Sequence, residues 1–355
     1  MTLPPTREAV LLKEKSFLAG YPPAELAALL SPLPSYRARQ IFLRISGGAA
    51  SFDEMTELPM SLRLELNERF SLYSGEVSGR LTDSDGTVKL QITLYDGCKI
   101  EAVLLNDGAS RNTACLSTQV GCPAACVFCK TGALGFRRNL VSAEIVEQFL
   151  RLCKTAPGGV SNIVVMGMGE PLFNLEELRR AIAVITAKEG AGFSPRRITV
   201  STSGIAAGIR SLTERGPRVR LALSLTTADS KLRERLMPVT RTNPLSEVKA
   251  ALEMYQKKEG RRITLELALL GGINTRPKDV EELARFVCGL DVIVNLIPWN
   301  PLEGMLFEGR PLREPAEEEV AAFTALLDKR GIAYTRRRRK GRSIGGACGQ
   351  LGTTD

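Results

Sequence analysis

Histidine is absent from all 355 residues of this chain. That removes the side chain most often used as a general base near neutral pH and the commonest nitrogen ligand for metals. A base must then be a carboxylate, a thiolate or a tuned lysine. Aromatic residues are scarce, at 5% with a single Trp, so no base-stacking strip is legible. No apolar run approaches the roughly 18–20 residues that span a bilayer, which excludes a membrane helix. The opening Met-Thr-Leu-Pro-Pro-Thr-Arg-Glu lacks the charged and apolar regions of a secretory signal. Eight cysteines without such a signal point to a reducing cytoplasm and not to a disulfide scaffold.

With 44% hydrophobic residues the chain can bury a substantial core, as one large domain with a small appendage. The 48 basic against 39 acidic residues favour a polyanionic partner. The basic excess is concentrated near the end, where seven basic residues and no acidic one lie between Arg330 and Arg342. Such a run is usually a solvated face. Its place just before Cys348 also suits phosphate contacts.

Cys122, Cys126 and Cys129 fall within eight residues, with gaps of three and two and no fourth cysteine nearby. Three thiolates so spaced can hold three corners of an iron–sulfur cube and leave one iron open to a ligand. Two other readings stay open at this point. Cysteines are often small buried apolar residues, and thiolates also hold structural zinc. A zinc site normally needs four Cys or His ligands, and here the fourth would have to be a distant cysteine.

The rhythm of the chain suggests three parts. Residues 1–85 form a helical accessory segment, with helical spacing around Pro22–Leu30, Arg37–Phe42 and Ser61–Phe70, and RNA binding is a candidate role for it. Residues 86–335 begin with a hairpin, Val88–Leu94 and Lys99–Leu105 around Asp96-Gly97. Short β-rich runs then alternate with helical ones: Asn112–Thr118, Asn162–Gly167, Arg197–Thr202, Arg218–Leu225, Ile263–Leu270, Val292–Pro298 and a last run near Ile332–Arg337. Asn174 with Glu177 reads as a capping box, and Pro277 suits a helix start. Repeated βα units imply a parallel sheet with right-handed crossovers, here an open α/β partial (βα)6 barrel. Residues 336–355 form a basic terminal segment carrying Cys348. The unusual residues, from the cysteine triplet to Pro298-Trp-Asn-Pro301, all sit after strands, on the face where such barrels carry chemistry.

Cys-x3-Cys-x2-Cys after the first barrel strand and Gly167-Met-Gly-Glu-Pro171 after the second resemble radical S-adenosylmethionine (SAM) enzymes. Ala114-Cys-Leu-Ser-Thr-Gln-Val-Gly-Cys122, Val200-Ser-Thr-Ser-Gly204, Val294-Asn-Leu-Ile-Pro-Trp-Asn-Pro301 and Gly346-Ala-Cys-Gly-Gln-Leu351 resemble, more narrowly, the RlmN/Cfr family of RNA adenine methyltransferases. The resemblance runs from about residue 85 to 351.

It implies a [4Fe–4S] cluster on Cys122, Cys126 and Cys129, with SAM on the open iron cleaved to a 5′-deoxyadenosyl radical, two SAM being used per turnover. Gly169, Glu170, Ser201, Ser224, Leu225, Thr226 and Asn300 would form the SAM site. Cys348 would carry the methyl group, Cys115 would release the product through a transient disulfide, and Glu101 would accept a proton. The implied activity is methylation of adenosine C2 in 23S rRNA, with tRNA as a further substrate, by a cytoplasmic monomer reduced by flavodoxin or ferredoxin. Methylation at C8, or a divergent radical SAM enzyme modifying another RNA, is the alternative, and a non-catalytic metal-containing RNA-binding protein is a third reading. Gln119-Val-Gly121 and Ser201-Thr-Ser203 resemble the C2-methylating branch. Two departures stand out. Thr226 replaces a usual His, and Gly341-Arg-Ser-Ile-Gly-Gly-Ala-Cys348 lacks the usual acidic pair.

Overall fold

The structure, a computed structural model, describes residues 16–108, 111–156, 158–337 and 340–352. Arg338 and Arg339, in the middle of the basic run, lie outside the described residues.

Three helices open the described chain: α1 (Pro23–Leu29), α2 (Ser35–Ser46) and α3 (Met60–Arg69). A proline caps each one, at Pro22, Pro34 and Pro59, where its fixed φ costs no hydrogen bond. On α2 the residues Ala38, Ile41, Phe42 and Ile45 are buried, the i, i+3, i+4, i+7 stripe of an amphipathic helix.

Ten strands then form a single sheet: β1 (Gly75–Thr82), β2 (Val88–Leu94), β3 (Lys99–Asn106), β4 (Asn112–Cys115), β5 (Asn162–Val165), β6 (Ile198–Thr202), β7 (Arg220–Ser224), β8 (Ile263–Leu269), β9 (Val292–Pro298) and β10 (Tyr334–Arg336). Their order in space is their order in sequence, and the two edge strands are not paired with each other among the described residues. From β1 to β4 the pairing is antiparallel. From β4 to β10 it is parallel. The six crossovers carry α4 (Ser142–Thr155), α5 (Leu175–Thr186), α6 (Ala206–Arg215), α7 (Leu245–Glu259), α8 (Pro277–Val287) and α9 (Glu317–Lys329).

The sheet therefore begins at Gly75, eleven residues before the boundary at residue 86 expected from sequence, which falls in the β1–β2 turn. The cause is the composition of β1. Its Gly-Glu-Val-Ser-Gly-Arg-Leu-Thr is largely exposed along its length and shows no apolar alternation. β2 does alternate, burying Val88, Leu90, Ile92 and Leu94.

The helical segment is firmly docked on α4. The Glu147 carboxylate accepts the Ser74 amide and hydroxyl, both at 2.9 Å. Ser142 Oγ donates to the Gly20 carbonyl at 3.0 Å. A Cβ on Gly20 would come within 2.5 Å of the Ala143 nitrogen, so only glycine permits this approach. One apolar core joins Leu18 and Ile45 to Ile163, Leu267 and Leu351. The expected capping box at Asn174 does not form. Asn174 Nδ2 instead donates to the carbonyls of Thr118 and Leu140 at 2.8 and 2.7 Å, and Glu177 accepts the Ser142 amide at 2.6 Å. Buried carbonyls needing donors outweigh a local cap.

Beyond β10 the terminal segment returns across the sheet as a strap. Asp85 accepts the Gly341 amide at 3.0 Å, and Asp83 accepts the Ser343 hydroxyl at 2.8 Å. The acidic residues missing from the strap itself thus face it from the β1–β2 turn. Further along, Lys130 N donates to the Gly349 carbonyl at 2.9 Å and Thr131 Oγ1 to the Leu351 carbonyl at 2.6 Å. Among the described residues no helix is long and apolar enough to cross a membrane.

Candidate active site

The cysteine triplet lies on a loop clamped at its base. After β4, Gln119–Gly121 pairs antiparallel with Phe136–Asn139. Gly121 has φ 73°, and a Cβ there would sit 1.8 Å from the Gly135 carbonyl oxygen. Cys122 N donates to that same oxygen at 2.9 Å, and Cys129 N donates to the Cys126 carbonyl at 3.2 Å. Trp299 Nε1 holds the loop from β9 by donating to the Phe128 carbonyl at 2.9 Å.

All three thiols are free and line one cavity of about 180 Å³ at the C-terminal strand ends. Burial raises the Cys122 thiol to about 12 and pushes Cys126 and Cys129 up as well. Without a metal these groups stay protonated at neutral pH, and a bound metal's charge would draw the protons off. Three thiols lining one cavity are the ligand set that a [4Fe–4S] cluster with one open iron takes.

Gly169, Glu170, Ser201, Ser224, Thr226 and Asn300 line the same cavity. Gly169 has φ 104°, and a Cβ on it would press to 2.6 Å from Gln119. The Glu170 carboxylate is buried and accepts from Ser203 N at 2.6 Å, Ser203 Oγ at 2.7 Å, Thr202 Oγ1 at 2.7 Å and Leu172 N at 3.1 Å. Burial nevertheless raises its pKa. With those oxygens occupied, Glu170 organises the end of β6, and its own amide donates to Gln119 Oε1 at 2.8 Å. Ser201 and Ser224 hydroxyls stand 3.2 Å apart. Leu225 does not line the cavity; it is fully buried and contributes only its backbone, whose amide donates to the Glu266 carbonyl at 3.0 Å. Thr226 takes a left-handed φ of 60°, stabilised by Asn274 Nδ2 donating to its carbonyl at 2.8 Å. Asn300 Nδ2 donates to the Cys348 carbonyl at 3.1 Å, while its Oδ1 is buried with no partner. A buried acceptor left open in this cavity is what the amino group of an amino-acid-bearing cofactor would satisfy.

A second, adjoining cavity of about 430 Å³ is lined by Cys115, Cys348, Asp107, Thr113, Arg337 and Lys340, among others. It falls within the roughly 300–1,000 Å³ usual for small-molecule sites. Cys348, Arg337 and Asn300 line both cavities. Burial raises the Cys115 thiol to about 12, and Arg337 opposes the shift.

Glu101 is placed differently. It lines neither cavity. Its buried carboxylate pairs with Lys89 at 2.9 Å and accepts the Gly352 amide at 2.7 Å, against the end of the strap.

Three site residues escaped sequence reasoning. Arg233 is fully buried and donates to the carbonyls of Ser203, Ser224 and Leu225 at 2.6, 3.1 and 3.0 Å, with burial lowering its pKa to about 10. In Ser230-Lys-Leu-Arg-Glu-Arg-Leu236 it reads as a surface charge, and no signal marks it. Glu266 lines the triplet cavity and accepts from Asn295 at 2.8 Å. Arg337 sits in a run read as a phosphate-binding face, yet its side chain turns inward.

The radical SAM superfamily profile matches residues 116–287. The probable dual-specificity RNA methyltransferase RlmN of Treponema denticola is 50% identical over 342 residues, covering 96% of this chain and 97% of its own. The dual-specificity RNA methyltransferase RlmN of Syntrophobacter fumaroxidans is 44% identical over 320 residues, covering 89% and 92%. A crystal structure of a radical SAM methyltransferase from Sphaerobacter thermophilus superposes with a TM-score of 0.90 at 39% identity, covering 94% of this chain and 98% of that one. The chain belongs to the RlmN family of radical SAM RNA methyltransferases, enzymes that use a [4Fe–4S] cluster and SAM.

Proposed function

We propose that this protein methylates C2 of adenosine in RNA, with Cys348 as the methyl carrier and Cys115 as the resolving thiol. The observation that carries this reading is the position of Cys348 on the wall shared by two cavities, one holding the cysteine triplet and the other Cys115. Adenine C2 is not nucleophilic, so direct polar transfer from SAM fails there. When bound, the cluster and SAM supply one-electron chemistry that overcomes this barrier.

The chain's own residues set the geometry around that chemistry. Cys122, Cys126 and Cys129 would hold the cluster. Gly169, Glu170, Ser201, Ser224, Thr226 and Asn300 would seat SAM, with Leu225 supporting that wall from behind. Cys348 would take a methyl group and present it to the larger cavity. Cys115 would then attack the Cys348 sulfur and release the product with a disulfide. Glu101 is the candidate proton acceptor. As its carboxylate is engaged by Lys89 and Gly352, that role requires the strap to shift.

The relatives' names support RNA as substrate, and their description as dual-specificity supports more than one RNA target; 23S rRNA and tRNA are the two proposed. A base would have to be unstacked to enter the cavity. Arg336, Lys340 and Arg342, paired here with Glu317, Asp107 and Glu314, would exchange those carboxylates for RNA phosphates. The remaining proposals are a cytoplasmic monomer and flavodoxin or ferredoxin as electron donor. Mass spectrometry of RNA nucleosides from cells with and without the gene tests the reading. Loss of 2-methyladenosine on deletion supports it, and loss of 8-methyladenosine would assign the protein to the C8 reaction.

A further inference from the structure

The methyl carrier does not stand alone in its pocket. Arg337 Nη1 donates to Cys348 Sγ at 3.1 Å. Arg337 continues the β10 edge, its amide donating to the Leu296 carbonyl at 2.9 Å, so its side chain is aimed by the sheet and not by the strap. It lines both cavities together with Cys348, and the larger one also with Cys115. Glu266, which accepts from Asn295 at 2.8 Å, and Asp107 also act on the Arg337 charge, each less strongly than Cys348.

We infer that Arg337 is a positioning residue serving two thiolates in succession, first Cys348 as methyl acceptor and then Cys115 as resolving nucleophile. The inference rests on the two-thiol reading above and assigns to it a cation that the sequence placed on the RNA-binding face.

The chemistry needs a thiolate twice. In the first step the Cys348 thiolate attacks the methyl carbon of SAM, here a methyl-donating substrate. A carbon–sulfur bond forms, the bond to the sulfonium breaks with its electron pair going to sulfur, and neutral S-adenosylhomocysteine leaves. Cys348 is then an uncharged thioether and no longer engages the guanidinium electrostatically. In the later step the Cys115 thiolate attacks the Cys348 sulfur. The disulfide forms, the bond from that sulfur to the substrate methylene breaks, and the carbon takes up a proton to become methyl. An external dithiol reduces the disulfide for the next turnover. The Cys115 thiol is held high by burial, and the same guanidinium pulls it down. Methylation of one partner thus frees the cation for the other.

The test reads thiol reactivity and not RNA methylation. Iodoacetamide modification of Cys348 is followed by peptide mass spectrometry in full-length, cluster-loaded protein without SAM, with exposed Cys288 as the internal reference. We expect Arg337→Met and Arg337→Gln to slow Cys348 alkylation about tenfold or more and Arg337→Lys to restore most of it. A purely structural role would leave Lys as poor as Met. Unchanged or faster alkylation in both neutral variants overturns the inference. In a Cys348→Ala background, Cys115 should alkylate faster than in the parent, and adding Arg337→Met should abolish the gain. Equal Cys115 rates in all three proteins would remove the second half of the assignment. If the thiol rates behave as expected while wild-type enzyme methylates no RNA, the arginine's role stands and the functional reading fails.

Discussion

The Glu101 carboxylate accepts the amide of Gly352 at 2.7 Å. A residue in the middle of β3 thereby holds the chain four positions beyond Cys348. Lys89, paired with Glu101 at 2.9 Å, also donates to the Gly345 carbonyl at 3.3 Å. The two side chains grip the strap on both sides of the methyl carrier.

Breaking this grip should loosen the strap before it unfolds the protein. Glu101→Gln leaves Lys89 without its anion in a nearly dry site, a loss on the order of 3 kcal/mol. Limited proteolysis should then cut within residues 340–352 at protease levels that spare the wild type, while the barrel stays intact. An unchanged cleavage pattern would show that the strap is held elsewhere.

The cluster loop should not tolerate a side chain on Gly121. Alanine there would meet the Gly135 oxygen at 1.8 Å and would carry a left-handed φ costing about 1–2 kcal/mol. Gly121→Ala should retain less than half the wild-type iron after anaerobic reconstitution, with little change in far-ultraviolet circular dichroism. Full iron content in the variant would contradict this account of the loop.

Arg233 should matter through the carbonyls it satisfies. Arg233→Met leaves the Ser203, Ser224 and Leu225 oxygens short of donors at the ends of β6 and β7. A destabilisation of about 3 kcal/mol is expected, with weakened SAM binding by calorimetry. Wild-type values for both would mean that water replaces the guanidinium at no cost.

Cys115 should be slow to react until alkaline pH. Its folded pKa is raised to about 12 from 9.0, so the native state holds the proton that an unfolded chain releases. Stability from this group is fully present below pH 9 and is lost as pH rises toward 12. Iodoacetamide should therefore modify exposed Cys288 well before Cys115 at pH 8, with the Cys115 rate rising steeply above pH 9. Equal rates at pH 8 would place Cys115 in water.

The chemistry-bearing residues were largely legible in the sequence because they are local. The spacing of Cys122, Cys126 and Cys129, the glycine at 169 and the run around Cys348 each sit on one loop. The parallel strands were legible from apolar runs, whereas β1 was not, because neither face of it is mainly buried. Asn174 misled because a capping pattern says nothing of two distant carbonyls competing for the same amide.

By itself, the sequence determined the alternation of strands and helices, the thiol inventory and the absence of histidine, all properties of near neighbours along the chain. Tertiary structure alone decided that Cys348 shares a wall with Cys115 and the triplet, that Glu101 faces the strap, and that Arg337 turns inward to a sulfur. Those relations join residues from 11 to 251 positions apart. They depend on which strand ends converge and on which charges find a partner once water is excluded, and no periodicity in the chain encodes either.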